Sequence, residues 1–146
     1  MTTVNVYLNF DGNCEEAFLF YKSVFGGEFP YIGRFGDMPP QEGMEPLPPE
    51  MANRIMHVSL PISKETTIMG SDTGGEWAPA YVQGNNFAIS INTDSRENAD
   101  RLFVGLSAGG HVTMPMGMTF WGAYFGMFTD KFGVNWMVSQ GEEGQG

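Results

Sequence analysis

The stretch TFWGAYFGMFTDKFGVNWMVS, residues 119–139, decides the fold because it holds two apolar runs on either side of a short polar turn. In residues 119–128, both alternating sets of side chains are largely apolar, which is typical of a β-strand covered on both faces. A turn opens at Asp130 and closes at Gly133, since glycine tolerates a positive φ. Residues 134–139 return as a second strand, so the sequence predicts an antiparallel hairpin.

Working outward, the N-terminal segment predicts a strand, a turn and a helix. Residues 4–10 alternate apolar and polar side chains with a period of two, which is typical of a half-buried strand. After a turn, a helix begins at Cys14, carries apolar residues at helical spacing and ends at the glycine pair 26–27. Three strand-like runs follow, at 29–35, 54–60 and 66–71.

The second half of the chain repeats this order. Residues 86–92 predict a strand and residues 95–107 a helix, and the glycine pair 109–110 follows the first pair by 83 positions. The chain therefore predicts two βαβββ modules of about 75 residues each, neither of which could bury its sheet well alone. We assign residues 1–75 to the first module and residues 76–146 to a linker and the second module, together forming one structural domain. The later strand-like runs are 111–117, 119–128 and 134–139.

Composition narrows the classes of partner. Seven Lys and Arg stand against 17 Asp and Glu, a formal net charge of −10, which argues against nucleic acid and against an anionic membrane surface. One cysteine excludes an internal disulfide and fits a reducing compartment. No apolar run approaches the roughly 20 residues of a membrane span, and the N-terminus lacks the features of a signal peptide. We expect a cytoplasmic protein with neither nucleic-acid nor membrane partners.

A proline-rich segment, residues 37–53, interrupts the first module. It holds five of the nine prolines and has no periodicity, so it predicts a long loop. Met38, Met44, Leu47 and Met51 are spaced among its carboxylates, and methionine adapts to irregular apolar surfaces. We expect this loop to cover either a binding site, as a lid, or a partner subunit, as an arm.

Three stretches together resemble a known family: YLNFDGNCEEAFLFYKSVFGG, the run MHVSLPI with Ser-Asp at 71–72, and FWGAYFGMFTDKFGVNWM. They resemble the PhnB-like branch of the vicinal oxygen chelate superfamily, which includes glyoxalase I, bleomycin-resistance proteins and extradiol dioxygenases. The resemblance implies an α+β fold in which paired βαβββ modules curl into a cup with helices outside. It also implies a homodimer. The branch often carries the name 3-demethylubiquinone-9 3-methyltransferase, but nothing in this chain predicts the parallel sheet and glycine-rich first turn of a methyltransferase.

Metal-dependent members of that superfamily hold their ion with His and Glu on the first and last strands of each module. Such donors suit Zn, Ni, Mn or Fe. Neither the first nor the fifth predicted strand of this chain carries a His or a Glu. The fourth strand offers Met69 or Ser71, and the last ligand position is Met137. We expect no metal cofactor; the alternative is a divalent metal at a relocated site that uses His57.

The expected function is the binding of a small, partly apolar molecule in the cup. Alternation predicts that His57 points into the cup together with Ile55 and Ser59, either as a structural histidine or as a ligand-orienting group or general base. The rival hypothesis is a lyase, isomerase or dioxygenase, and a third is a cup filled by its own aromatic side chains. Trp121 and Trp136 are interpreted as core or interface residues, or as cup lining. The predicted ligand-binding residues are Asn5, Tyr7, His57, Ser90, Trp121 and Met137.

Overall fold

A computed structural model describes residues 2–37, 39, 43, 46–73 and 80–141 of the chain. The chain divides into two compact units, Met1–Val82 and Gln83–Gly146. Each unit is a βαβββ module built on a mixed four-stranded sheet, so the predicted α+β fold class is confirmed. The pairing of the two modules into one cup stays a prediction.

The first unit places its first strand beside its last. The strand order is β1-β4-β3-β2, with β1 and β4 parallel and the other pairs antiparallel. A 3₁₀ turn at Phe35–Asp37 and the four-residue helix α2 lie between β2 and β3, in the proline-rich segment. Met38 and Met44 of that segment lie outside the described residues, and its role as a lid or dimer arm stays a prediction. The elements are β1 (Val6–Phe10), α1 (Cys14–Phe25), β2 (Tyr31–Arg34), α2 (Pro49–Ala52), β3 (Ile55–Pro61) and β4 (Thr67–Asp72).

The second unit repeats this topology. Its strand order is β5-β8-β7-β6, again with the first and last strands parallel. The predicted strand at 86–92 is shorter in the structure and begins at Ile89. The elements are β5 (Ile89–Asn92), α3 (Arg96–Ser107), β6 (His111–Met118), β7 (Ala123–Thr129) and β8 (Asn135–Gly141).

One face of each sheet packs against the long helix of its own unit. Both helices bury side chains at positions i, i+3, i+4 and i+7, the spacing that places them on one side of a helix. In the second unit, Phe128 and Trp136 from neighbouring strands stack in this core with their planes 10° apart. The opposite face of each sheet, which we call the open face, is not covered by that helix. The buried helical residues are Cys14, Ala17, Phe18 and Tyr21 in α1, and Ala99, Leu102, Phe103 and Leu106 in α3.

Two buried carboxylates organise the chain around the sheets. Asp72, at the end of β4, accepts hydrogen bonds from the backbone amides of Gly12, Cys14 and Ile55, at 2.8, 3.0 and 2.8 Å. Asp72 therefore caps the start of α1, where the side chain of the N-cap residue, Asn13, makes no capping hydrogen bond. In α3 the cap is local, because Ser95 Oγ accepts from the Asn98 amide at 3.1 Å.

Asp130 is the second buried carboxylate, and it closes the predicted hairpin. Its Oδ1 accepts from the amides of Phe132 and Val134, and its Oδ2 accepts from Trp136 Nε1 at 2.8 Å. Gly133 takes a φ of 87°, as the predicted turn requires. Trp136 is thus a core residue whose indole nitrogen is satisfied inside the module.

The predicted strand 119–128 is wrong at its start. Thr119 and the three residues after it form the turn between β6 and β7, and β7 begins at Ala123. The Thr119 hydroxyl hydrogen-bonds both backbone groups of Ala123, and Gly122 adopts a φ of 93°. Glycine conformation and local side-chain hydrogen bonds, which periodicity does not report, decide this boundary.

A bulge in β3 corrects one predicted orientation. Gly33 pairs with His57, whereas the next residue, Arg34, pairs with Ile55, so Met56 is the extra residue. The bulge shifts the alternation by one position. Ile55 is consequently fully buried with the core residues Val58 and Leu60, and does not share the open face with His57.

Candidate functional site

The two open faces carry equivalent rows of side chains. Across the first sheet, the register aligns Tyr7 (β1), Met69 (β4), Ser59 (β3) and Tyr31 (β2). Across the second sheet, it aligns Ser90 (β5), Met137 (β8), Met127 (β7) and Met114 (β6). Equivalent residues on the two edge strands of each sheet are 83 positions apart in the sequence. Equivalent residues on the two central strands are 68 positions apart. The module repeat predicted from the glycine pairs therefore extends to individual positions on the open faces.

The resemblance implies that metal-dependent members carry their ligands on the first and last strands of each module. On those strands of this chain, the rows hold Tyr7, Met69, Ser90 and Met137. A phenol, a hydroxyl and two thioethers do not fit Zn, Ni, Mn or Fe, which prefer imidazole and carboxylate donors. Among the described residues, no group of three or more His, Cys, Asp or Glu side chains could hold a metal ion. That the protein works without a metal stays a prediction.

In the first unit, the open face brings Tyr7 and His57 together. The Tyr7 hydroxyl lies 3.0 Å from His57 Nδ1, and the ring centroids are 5.5 Å apart. Tyr31 covers the imidazole from the other side, with its ring centroid 5.8 Å away. Gly33 makes this possible, because a Cβ there would lie 2.5 Å from the Tyr31 hydroxyl. The result is an aromatic cluster, Tyr7–His57–Tyr31, with both phenols about half exposed.

Asn5 does not join this cluster in the described contacts. It precedes β1 and is exposed. The next polar residue of the same alternation, Asn9, accepts a hydrogen bond from Ser71 Oγ at 3.3 Å. Asn5 therefore stays a predicted ligand-binding residue, and its side chain makes no hydrogen bond within the described part of the chain.

In the second unit, the open face contains a groove of about 400 Å³. Met127 and Met137 form part of it, side by side on β7 and β8. Ser90 pairs with Met137 in the sheet but is not among the described residues that line the groove. The groove is lined by Asn85, Asn86, Phe87, Ala88, Thr113, Met127, Phe128, Thr129, Asn135, Trp136 and Met137.

Trp121 also lies outside that lining. It sits on the β6–β7 turn, 44% exposed, beside Phe120, which is 97% exposed. Its ring contacts Phe120 at 5.0 Å and Phe125 at 5.8 Å between centroids. Phe125 occupies the position of the second module that His57 occupies in the first, 68 residues earlier. The structure therefore groups Trp121 with Phe125 and does not place it beside Met137.

Polar atoms of the groove are amides and hydroxyls. Thr129 Oγ1 donates to Asn135 Oδ1 at 2.7 Å, which leaves Asn135 Nδ2 without a hydrogen-bond partner among the described residues. Asn85 and Asn86 of the groove lining are exposed, and their side chains likewise have no hydrogen-bond partner in the described part of the chain. The groove thus combines two thioethers with unused hydrogen-bonding capacity.

Other chemistry-bearing residues of the first unit are structural. Burial, together with the nearby Asp72 and Glu15, raises the pKa of the Cys14 thiol far above its ordinary value, which disfavours the reactive thiolate. Glu15 is more than a solvent-exposed acidic side chain. It accepts two hydrogen bonds from Arg34, at 2.8 and 3.0 Å, and these lower the pKa of its carboxyl group. Arg34 thereby ties α1 to β2.

Sequence reasoning missed Tyr31, Met127 and Asn135 as site residues. Tyr31 was part of a predicted strand, and its parity with Gly33 could have placed it on the open face. Met127 shares the open face with Met137 by register, which requires knowing that β7 begins at Ala123. No sequence signal marked Asn135, because a single amide after a glycine turn is common in hairpins.

Comparison with known proteins agrees with these features. Residues 3–138 match the family model described as the Glyoxalase/Bleomycin resistance protein/Dioxygenase superfamily. Protein YjdN of Escherichia coli K12 is 35% identical over 138 residues, 91% of each chain. The crystal structure of protein PA1353 from Pseudomonas aeruginosa is 40% identical, covers 97% of this chain and 98% of its own, and superposes with a TM-score of 0.79.

A more distant structure bears on the resemblance to the PhnB branch. A PhnB protein from Bacillus cereus, provisionally named 3-demethylubiquinone-9 3-methyltransferase, is 23% identical. It covers 95% of this chain and 99% of its own, with a TM-score of 0.71, and so shares the fold. Within the described residues, no helix is long and apolar enough to cross a membrane. By its family match, its relatives and its two βαβββ modules, this chain belongs to the glyoxalase/bleomycin resistance protein/dioxygenase superfamily.

Proposed function

We propose that the protein binds a small, partly apolar molecule in the groove on the open face of its second module, without a resident metal. The observation that carries this proposal is the groove itself. Its volume of about 400 Å³ lies within the range of about 300–1,000 Å³ usual for small-molecule sites. Its lining also combines apolar side chains with amide and hydroxyl groups, as small-molecule sites do.

Methionine suits the lining of such a groove. Met127 and Met137 are half-buried, and flexible thioether side chains can repack around ligands of differing shape. Membership in a superfamily that includes bleomycin resistance proteins supports binding as a function. The proposed ligand therefore contacts the two thioethers and the amide groups of the lining.

Spectra of the protein labelled with ¹³C in its methionine methyl groups test this proposal. We expect fragments with an aromatic or aliphatic body to shift the Met127 and Met137 resonances. The Met69 resonance, on the open face of the first module, serves as the internal reference. A fragment library that leaves Met127 and Met137 unmoved, or that moves only Met69, contradicts the proposal.

A second candidate function, metal-free proton transfer, is favoured by the Tyr7–His57 contact of 3.0 Å. With Nδ1 bonded to a phenol, His57 Nε2 is the imidazole atom left to give or take a proton. Compounds that shift the His57 and Tyr7 resonances would support this candidate. If His57→Gln leaves that binding unchanged, the candidate is wrong. The relocated divalent-metal site at His57, the lyase, isomerase or dioxygenase alternative, stays a prediction.

The predicted homodimer enters as a separate proposal. Light scattering at micromolar concentration should give twice the chain mass of 16.1 kDa. A monomeric mass contradicts it and leaves the groove proposal standing.

A further inference from the structure

We infer that the groove selects an uncharged ligand that carries a hydrogen-bond acceptor, such as a ketone or amide carbonyl, next to an apolar ring body. This inference rests on the proposed function and adds the chemical class of the ligand. It depends on two features of the second module: the charge content of the groove lining and the donor that Asn135 leaves free.

The first feature is charge. None of the described residues that line the groove is an Asp, Glu, Lys, Arg or His, although the chain holds 17 acidic and seven basic residues. Asp130 is next to Thr129 in sequence, but it is 3% exposed and its carboxylate is engaged by Phe132, Val134 and Trp136. An ionic ligand would lose hydration in the groove without gaining a counter-charge from the lining.

The second feature is directional. Asn135 Oδ1 already accepts from Thr129 Oγ1, whereas the donor of that amide, Nδ2, has no hydrogen-bond partner among the described residues. A buried or half-buried donor is best satisfied by an acceptor on the ligand. The Asn135 amide therefore favours a ligand that carries a carbonyl over a hydrocarbon that has no acceptor. The thioethers of Met127 and Met137 contact the ring of that ligand.

Three dyes with one naphthalene body test the charge argument. The neutral ketone is 6-propionyl-2-(dimethylamino)naphthalene; its matched ions carry a sulfonate or a trimethylammoniomethyl group in place of the ketone. Equilibrium dialysis at about 150 mM salt reduces the long-range field of a protein with net charge −10. We expect the ketone to bind at least about tenfold more tightly than either ion, because both ions leave a charge unpaired.

The order of affinities distinguishes the explanations. An order of cation, ketone, anion from tightest to weakest would show that the net charge of the protein governs binding, and would overturn the inference. Equal affinities would overturn it as well, while leaving the groove as a binding site. Failure of all three dyes to shift the Met127 and Met137 methyl resonances would contradict both the inference and the proposed function.

Two variants test the directional argument. Asn135→Asp replaces the free donor by an acceptor and should weaken ketone binding by about tenfold. Asn92→Asp makes the same change on the exposed end of β5, outside the groove lining, and should leave ketone binding within twofold. Melting curves of both variants separate lost binding from lost folding; Asn135→Ala, which also removes the donor, replaces Asn135→Asp if the latter melts early. Equal effects of the two Asp variants would overturn the role of Asn135.

One further occupant is an outcome of the same experiment. If a second copy of the chain covers the groove, the ketone should not bind, and Met137→Asp should lower the mass seen by light scattering. That combination would also overturn the inference.

Discussion

The hydroxyl of Tyr7 on β1 lies 3.0 Å from Nδ1 of His57 on β3, and β4 lies between these two strands in the first sheet. While the imidazole is neutral, a phenol that donates to Nδ1 selects the tautomer with hydrogen on Nε2. Tyr7→Phe should therefore change a single tautomer into a mixture. The ¹⁵N shifts of the His57 ring, measured above pH 8, report the tautomer. Tyr31→Phe is the control, since Tyr31 contacts the ring without a described hydrogen bond to it. An unchanged tautomer in Tyr7→Phe contradicts the assignment.

The contact of Tyr31 with the same imidazole depends on Gly33. Gly33→Ala should displace the Tyr31 ring, because the new Cβ would come within 2.5 Å of the Tyr31 hydroxyl, the movable end of a side chain. We expect a loss of stability below about 1 kcal/mol and a change in the His57 ring-proton shifts. Urea unfolding and proton NMR measure the two effects.

Gly70→Ala is the matched substitution on the core side of the first sheet. Its Cβ would lie 2.6 Å from the Phe18 ring and 2.8 Å from the Leu8 carbonyl oxygen, both held in the packed core. The expected loss of stability is about 1–3 kcal/mol, the usual cost of overpacking. A Gly33→Ala variant that is as unstable as Gly70→Ala would show that Tyr31 cannot move aside.

Breaking the Glu15–Arg34 ion pair should have a small effect that depends on pH. Arg34 lowers the pKa of Glu15 in the folded protein, so the stabilisation is present above the unfolded pKa, about 4.3, and is lost as the pH falls through the folded value. Because the Glu15 side chain is 44% exposed, Glu15→Gln should cost no more than about 1 kcal/mol at pH 7. The difference should shrink as the pH falls and vanish once the pH is below the folded pKa of Glu15.

Glu16→Gln is the control for that measurement, since Glu16 lies in the same helical turn and is exposed. Urea unfolding at a series of pH values gives the free energy of unfolding for both variants. A Glu15→Gln effect that persists unchanged at low pH would show that the side chain acts through packing and not through its charge.

Asp72→Asn should be among the most destabilising single-atom changes in the first module. The carboxylate accepts three backbone hydrogen bonds, and an amide would turn an N–H group toward one or more of those donors. We expect a loss of about 2–4 kcal/mol in the free energy of unfolding. Asp11→Asn is the control: Asp11 pairs with Arg54 at the surface, 58% exposed, and should cost less than about 1 kcal/mol.

The metal content of the protein tests the expectation drawn from Tyr7, Met69, Ser90 and Met137. Protein purified without chelators should contain well under one Zn, Ni, Mn or Fe per chain, because these donors suit none of those ions. Elemental analysis measures the content directly. One ion per chain that is lost in His57→Ala would contradict this and favour the relocated site.

The sequence predicted the repeated modules because amphipathic periodicity and paired glycines survive in both halves. Period-two alternation also oriented Tyr7 and Ser90 toward the open faces, where the register places them in rows with Met69 and Met137. It could not place Trp121, since residues 119–128 are apolar in both alternating sets and so carry no signal for where a turn ends and a strand begins. Nor could it anticipate the bulge at Met56, which depends on pairing between β2 and β3.

The groove was less predictable for a related reason. Asn85 and Asn86 precede β5 and belong to no regular element, although periodicity placed Asn86 at the start of the predicted strand 86–92. The free donor of Asn135 depends on which atom Thr129 engages, a choice made by tertiary geometry. The sequence predicts a binding surface, but it does not indicate which polar atoms of that surface lack a hydrogen-bond partner within the protein.

The equivalent rows on the open faces give the protein two copies of one scaffold that have diverged in chemistry. Tyr7 and His57 correspond to Ser90 and Phe125, so the first copy has kept titratable groups where the second has an alcohol and a hydrocarbon ring. The change of offset from 83 to 68 positions locates 15 additional residues in the β2–β3 connection of the first copy. Each module therefore serves as a structural reference for the other. Exchanging row residues between them, position by position, is a route to redesigning one binding face with geometry that the other has already tolerated.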